Sequence, residues 1–227
     1  MTDAVFVAGT DTGVGKTFVS CALLHALRAM SGRVVGMKPV ASGCVATPAG
    51  LRNDDALALI AASDPRPDYA LCNPLAFAEA VSPHLAAAAQ QTEVTMAPIE
   101  AAFARLAASA DVVLVEGVGG WLAPLSPTLQ ANAIPRALGL PVILVVGLRL
   151  GCLSHAQLTA RAIQTDGCRL LGWIGNAVDP AMERREDNLD TLRQLLPAPC
   201  LGVVGHASKT AAAELAAAAA AVCAPAS

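Results

Sequence analysis

An α/β fold, with a mainly parallel sheet of about seven strands and helices on both faces, is predicted by three observations. Short apolar runs alternate along the chain with longer helical stretches. Two of those runs, VVLV before Glu116 and VILVV, carry no polar residue, as strands buried on both faces should not. The first run leads through a glycine-rich loop straight into a helical stretch.

The strands are expected at Ala4–Ala8, Val34–Lys38, Val112–Glu116, Val142–Val146, Leu171–Asn176 and Leu201–Val204, with a weaker seventh near Tyr69–Cys72. Helical patterns fill 16–30, 53–62, 97–109, 154–166, 182–196 and 210–223. The segment 63–96 is irregular and contains prolines, but nothing in it marks a second domain, so residues 1–227 are expected to form one. Right-handed crossovers place all strand C-termini on one edge, where ligands of such sheets bind. The chemistry is therefore expected just after each strand.

Composition excludes several classes. Hydrophobic residues make up 55% of the chain, but 49 of its 227 residues are Ala, which raises hydropathy without making a lipid-facing surface. The most apolar uncharged run, Ala137–Leu148, contains a Gly and a Pro and falls short of the roughly 20 residues that span a bilayer. The N-terminus has no basic segment, so a soluble cytoplasmic protein is expected. A net charge of −3 with no basic run argues against a nucleic-acid partner. Seven scattered Cys without a C-x-x-C pair suit reduced thiols rather than a disulfide framework or zinc. Only three residues are Lys (Lys16, Lys38 and Lys209), against twelve Arg. A Lys here therefore suggests a task for a compact ammonium.

The loop Gly9-Thr-Asp-Thr-Gly-Val-Gly-Lys16-Thr17 between strand and helix resembles a P-loop, with Gly9 one residue earlier than the usual first glycine, and a P-loop NTPase fold is expected with it. Gly15 lets backbone approach phosphate, and successive N–H groups cradle the anion at a helix N-terminus. Lys16 is then placed to reach the β- and γ-phosphates, and the Thr17 hydroxyl to bind Mg2+. Lys38 closes the second strand over the same edge. Asp54 and Asp55 open the next helix; one suits the helix dipole and the other a hard metal ion. Glu116 ends VVLVE, where a Walker-B-type acid sits, and Gly117-Val118-Gly119-Gly120 follows it. Ser154 with Gln157 reads as a capping box, and that helix N-terminus as an anion site.

The segments GTDTGVGKT, KPVASG, LRNDDALAL, Ser82-Pro83-His84, VLVEGVGGW, PVILVVGLRLGC and GWIGN together resemble the dethiobiotin synthetases of biotin biosynthesis, from about residue 4 to 204. The resemblance implies a homodimer that closes a ureido ring on 7,8-diaminononanoate with CO2, ATP and Mg2+. It implies nucleotide contacts from Gly13, Val14, Gly15, Lys16, Thr17 and Phe18, from Asp55, from Glu116, Gly117, Val118 and Gly119, and from Asn176, Ala177 and Gly205. Thr17, Asp55 and Glu116 would hold Mg2+, and Lys38 with Lys16 would be catalytic. Thr12, Lys38 and Ser42 would contact the diamine or its carbamate, and Gly151, Cys152, Leu153 and Ser154 of the partner subunit would bind the substrate carboxylate. Gly205-His206-Ala207 replaces the family's proline-containing base loop, and the Ala-rich tail is expected to supply no matching acid.

Three rivals stand beside this. A partition-type ATPase usually carries a signature Lys where this chain has Asp11. An amide-forming synthase needs a glutaminase domain, for which 227 residues leave no room. A kinase that stops at phosphate transfer differs only in its product.

Overall fold

The computed structural model describes residues 2–224; residues 1 and 225–227 of the expected domain lie outside them. The chain opens with β1 (Asp3–Gly9), α1 (Lys16–Arg28) and β2 (Val34–Met37). Then come β3 (Val40–Ala41), β4 (Val45–Thr47), β5 (Gly50–Arg52), α2 (Asp54–Ala62), α3 (Tyr69–Cys72) and β6 (Leu75–Ala76), with β3 paired to β6 and β4 to β5. Helices α4 (Pro83–Ala89) and α5 (Met96–Ser109) lead into β7 (Val112–Glu116), α6 (Ala133–Leu138) and β8 (Val142–Gly147). The last part runs α7 (Cys152–Thr165), β9 (Leu170–Asn176), α8 (Arg185–Leu195) and β10 (Cys200–Val204), then α9 (Ala211–Glu214) and α10 (Ala216–Cys223).

Six strands form the central sheet in the order β10-β9-β8-β1-β7-β2, and every pairing in it is parallel. Alternate residues of each strand enter opposite cores, as the strand period of two requires. Phe6, Val115, Leu144 and Trp173 pack on the face with α5, α7 and α8. Val5, Val7, Leu114, Ile143 and Ile174 pack on the face with α1, α2 and α10. Parallel register lifts Gly9, Glu116, Gly147 and Asn176 to one edge, for Val7 lies beside Glu116 and Gly147 beside Asn176.

The seventh strand expected near Tyr69–Cys72 is instead the helical turn α3, so the main sheet has six strands. A four-residue stretch has too few positions to separate the two periods. The segment expected to be irregular also holds α4, whose first residue is Pro83, with the proline ring preset for a helix N-terminus. The helix expected over 210–223 breaks at Leu215. That break lies against β10, where a Cβ on Gly202 would come within 2.7 Å of the Glu214 carbonyl oxygen. A glycine in the strand lets the chain pass that closely.

Candidate active site

The P-loop leaves β1 at Gly9 and turns through Gly13 and Gly15, both at positive φ, 74° and 79°. Gly15 caps α1, so the first N–H groups of the helix face the loop. A side chain at Gly15 is excluded twice over, because a Cβ there would lie 2.1 Å from Asn176 Nδ2. Asn176 Nδ2 donates to the Val14 carbonyl at 2.9 Å and so holds the loop from behind. Val14 is buried beneath the loop and Phe18 points outward from α1.

Lys16 Nζ donates to the carbonyls of Gly119 (2.6 Å) and Asp11 (3.1 Å), bridging the P-loop to the glycine run after β7. Burial, and then the nearby Lys38 ammonium, lower its pKa to about 8. A bound phosphate anion would reverse both penalties. Asp11 itself takes Arg149 Nη2 at 2.5 Å, tying the loop to the turn before α7.

Beside Lys16 lies a buried charge cluster. Lys38 Nζ stands 2.5 Å from Glu116 Oε1 and 3.0 Å from Asp55 Oδ2. Thr17 Oγ1 donates to the same Glu116 oxygen at 2.8 Å. Lys38 is 4% exposed and Glu116 0%. Burial alone would discharge Lys38, but Glu116 and Asp55 outweigh it and hold the pKa above the ordinary lysine value. Asp55 is held below the usual carboxylate range, its own burial outweighed chiefly by Lys38.

Glu116 Oε2 is buried and has no hydrogen-bond partner. An orphaned carboxylate oxygen inside a protein is costly, and a bound cation satisfies it. With the Thr17 hydroxyl and Asp55 it offers a set of hard oxygen donors. No group of three or more His, Cys, Asp and Glu among the described residues could hold a metal. One or two carboxylates with substrate phosphates is nonetheless the usual Mg2+ complement, so these residues fit that ion.

Thr12, Gly13, Gly15, Lys16, Thr17, Lys38, Ser42, Asp55, Glu116, Val118 and Gly119 line one cleft of about 420 Å³. Gly117 lies just beneath, its carbonyl 3.4 Å from Lys38 Nζ. Asn176, Ala177 and Gly205 lie outside the lining of that cleft, at the ends of β9 and β10, where Ala177 N–H bonds the Val204 carbonyl. A larger depression of about 780 Å³ between 133–141 and 166–169 lies at the opposite edge of the sheet, away from these groups.

A model described as an AAA domain matches residues 3–214. The ATP-dependent dethiobiotin synthetase BioD of Xanthomonas campestris pv. campestris (strain ATCC 33913) is 60% identical over 199 residues, covering 88% of this chain and 89% of that protein. The chain belongs to the dethiobiotin synthetase family. The protein of the same name from Xylella fastidiosa (strain 9a5c) is 58% identical over 203 residues, covering 89% and 90%. Among solved structures, the septum site-determining protein MinD from Pyrococcus horikoshii, complexed with Mg-ADP, aligns with a TM-score of 0.55 at 17% identity, covering 96% and 95%. A ParA family ATPase from Chlorobium tepidum aligns at 0.54 and 13%, covering 95% and 90%. At such identities these two share the fold alone, a P-loop NTPase fold.

For a dethiobiotin synthetase family member, three features of the sequence needed correction. Ser154 is no cap: α7 starts at Cys152 behind Gly151, whose φ of +95° makes the turn, and Gln157 Nε2 bonds the Leu153 carbonyl instead. Gly151, Leu153 and Ser154 sit at that N-terminus, while the Cys152 side chain faces the core and its N–H bonds the Arg149 carbonyl. Lys38 lies one residue past β2, which ends at Met37. The Ala-rich segment does supply an acid. Glu214 accepts from Gly205 N–H at 3.2 Å, from Ser208 at 2.7 Å and from Thr210 at 2.7 Å. It was legible only as the single acid within an alanine run. Sequence reasoning also passed over Tyr69 and Asn73, although Tyr69 is the one tyrosine of the chain.

Proposed function

We propose that the protein is an ATP-dependent dethiobiotin synthetase, a cyclo-ligase that joins 7,8-diaminononanoate and CO2 into the ureido ring of dethiobiotin and releases ADP and phosphate. The convergence of Lys16, Lys38 and the Thr17–Asp55–Glu116 oxygens on one cleft carries the proposal. The 60% identical relative of that name supports the choice of substrate.

CO2 adds to a neutral amine to give an anionic N-carbamate and a proton. Lys38 offsets that charge beside the γ-phosphate, and Lys16 holds the phosphate itself. Thr17, Asp55 and Glu116 would hold Mg2+, which supplies charge neutralisation between phosphate oxygens when bound. A carbamate oxygen attacks the γ-phosphorus and ADP leaves, giving a carbamic-phosphoric mixed anhydride. The second amine then attacks the carbonyl, phosphate leaves and the ring closes. That amine is already held in the same molecule, so the step gains from proximity. Thr12 and Ser42 orient the diamine, and no protein nucleophile is required.

The substrate carboxylate is bound by Gly151, Cys152, Leu153 and Ser154 of the partner subunit in a homodimer. Leu150, 96% exposed beside them, and the exposed Leu158 further along α7 support a covered surface there. Asn176, Ala177 and Gly205 meet the nucleotide base. The chain acts as one domain in the cytoplasm; no helix among the described residues is long and apolar enough to cross a membrane.

The test combines purified protein, diaminononanoate, Mg2+, 14C-bicarbonate as the CO2 source and each nucleotide in turn. Free carbamate loses CO2 in acid whereas a ureido ring keeps it. Acid-stable label with ATP is expected. ATP binding without any label would leave the P-loop and sink the substrate assignment.

A further inference from the structure

Lys38 occupies a backbone position that the central sheet does not hold. It follows β2, an edge strand that pairs only with β7 in that sheet. Pro39 comes next and has no N–H to continue a ladder. The bracing comes instead from α3 and the residue after it. Lys38 N–H donates to the Cys72 carbonyl at 2.7 Å. Asn73 Nδ2 donates to the Lys38 carbonyl, also at 2.7 Å, and Asn73 is 3% exposed.

Asn73 is in turn held by Tyr69, whose hydroxyl donates to Asn73 Oδ1 at 2.9 Å. The same hydroxyl accepts the Asn53 N–H at 2.8 Å. Asn53 is the N-cap of α2, its Oδ1 accepting from Ala56 N–H at 3.2 Å. Asp55 rides on the first turn of that helix. One phenolic oxygen thus links the support of Lys38 to the support of Asp55.

We propose that Tyr69, acting through Asn73 and Asn53, sets the placement of Lys38 against Asp55 and is a positioning residue for the ring-closing reaction, a role that rests on the function proposed above. The ion pair does not hold itself in place. Asp55 is 44% exposed on its side chain, so solvent competes for its carboxylate. A network half-buried at Tyr69 and buried at Asn73 loses geometry when a single member is removed, because its neighbours are left unsatisfied. An error of about 1 Å near the reacting groups is enough for a loss on the order of 100-fold in rate. The P-loop backbone lies outside the network, so binding of nucleotide in the absence of Mg2+ should not follow.

Tyr69→Phe tests this. The variant keeps the ring, and with it the stacking of the Arg52 guanidinium 4.2 Å above the ring centre. It removes only the hydroxyl. The expected result is a kcat for acid-stable 14C incorporation lower by about 10- to 100-fold. The Kd of a fluorescent ATP analogue measured without Mg2+ should stay within about twofold of the parent. Asn73→Leu, which breaks the same chain at its next link, should show the same split. Arg52→Ala, which disturbs the ring but not the hydroxyl, should leave kcat within about twofold.

With three lysines in the chain, an ε-13C-lysine NMR spectrum at one fixed pH reports Lys38 independently of turnover. Its resonance should move in Tyr69→Phe while that of Lys209 stays. A kcat for Tyr69→Phe within twofold of the parent overturns the proposal, and so does a Lys38 resonance that does not move. If the parent protein makes no acid-stable product, the function reading fails on its own, and the resonance alone then decides the role of Tyr69.

Discussion

At the phosphate end of the cleft, Lys16, Lys38 and Glu116 are buried, and their partners come from the ends of several strands far apart in sequence. At the other end, proposed above to meet the base, Glu214 and Gly205 sit beside the edge strand β10, and Glu214 is held by Ser208, Thr210 and Gly205, all close in sequence. The first arrangement keeps Lys16, Lys38 and Glu116 out of water, which favours electrostatic stabilisation of a developing anion. The second is solvated and local, so its bonds are individually weak and can rearrange. The P-loop end is thus the more rigid of the two, and the β10 end the more adjustable.

That contrast orders the expected effects of substitution. Lys38→Ala should lower ring closure by roughly 1000-fold, as loss of a preorganised charge does, while calorimetry still detects ATP binding. Near-normal turnover would remove Lys38 from the mechanism. Gly15→Ala comes next. It forces a side chain into φ +79° and against Asn176. Nucleotide affinity should weaken by about 10- to 100-fold, from a strain of roughly 1–3 kcal/mol. Equilibrium binding with ATP measures it, and unchanged affinity would show that the loop yields more easily than its buried support implies.

Arg149→Ala removes a half-exposed partner of Asp11. Pairs so exposed contribute about 1 kcal/mol or less, so KM for ATP should rise no more than about fivefold. The smallest effect is expected at the base end. Glu214→Gln should change the ratio of kcat/KM between ATP and CTP by about threefold or less, with kcat at saturating ATP unchanged, since only solvated hydrogen bonds are altered. If this variant costs more than Gly15→Ala, the contrast between the two ends is wrong.

The two ends also differed in how far the sequence disclosed them. The P-loop, the lysine after β2 and the acid ending β7 were all legible, because each is punctuation at the end of a buried apolar run. Six strands were legible for the same reason. Glu214 was not. Glu214 stands in an alanine run whose helical propensity hides the break at Leu215, and only the approach of that break to Gly202 requires it. Tyr69–Cys72 looked like a strand because four residues fit either period. The start of α7 was misplaced by two residues because Ser154 imitates a cap, whereas Gly151 turns the chain.

The sequence by itself determined the doubly covered parallel sheet, the phosphate loop and the residue types at the strand ends, because hydrophobic period and glycine placement report local burial and local turns. Tertiary structure alone decided that Lys38 meets both Asp55 and Glu116, that Asn176 closes the P-loop from behind, and that one tyrosine hydroxyl joins two parts of the site. Each of these rests on a hydrogen bond or ion pair from a side chain to a different part of the fold. Its existence depends on strand order and helix docking, which periodicity along the chain does not encode.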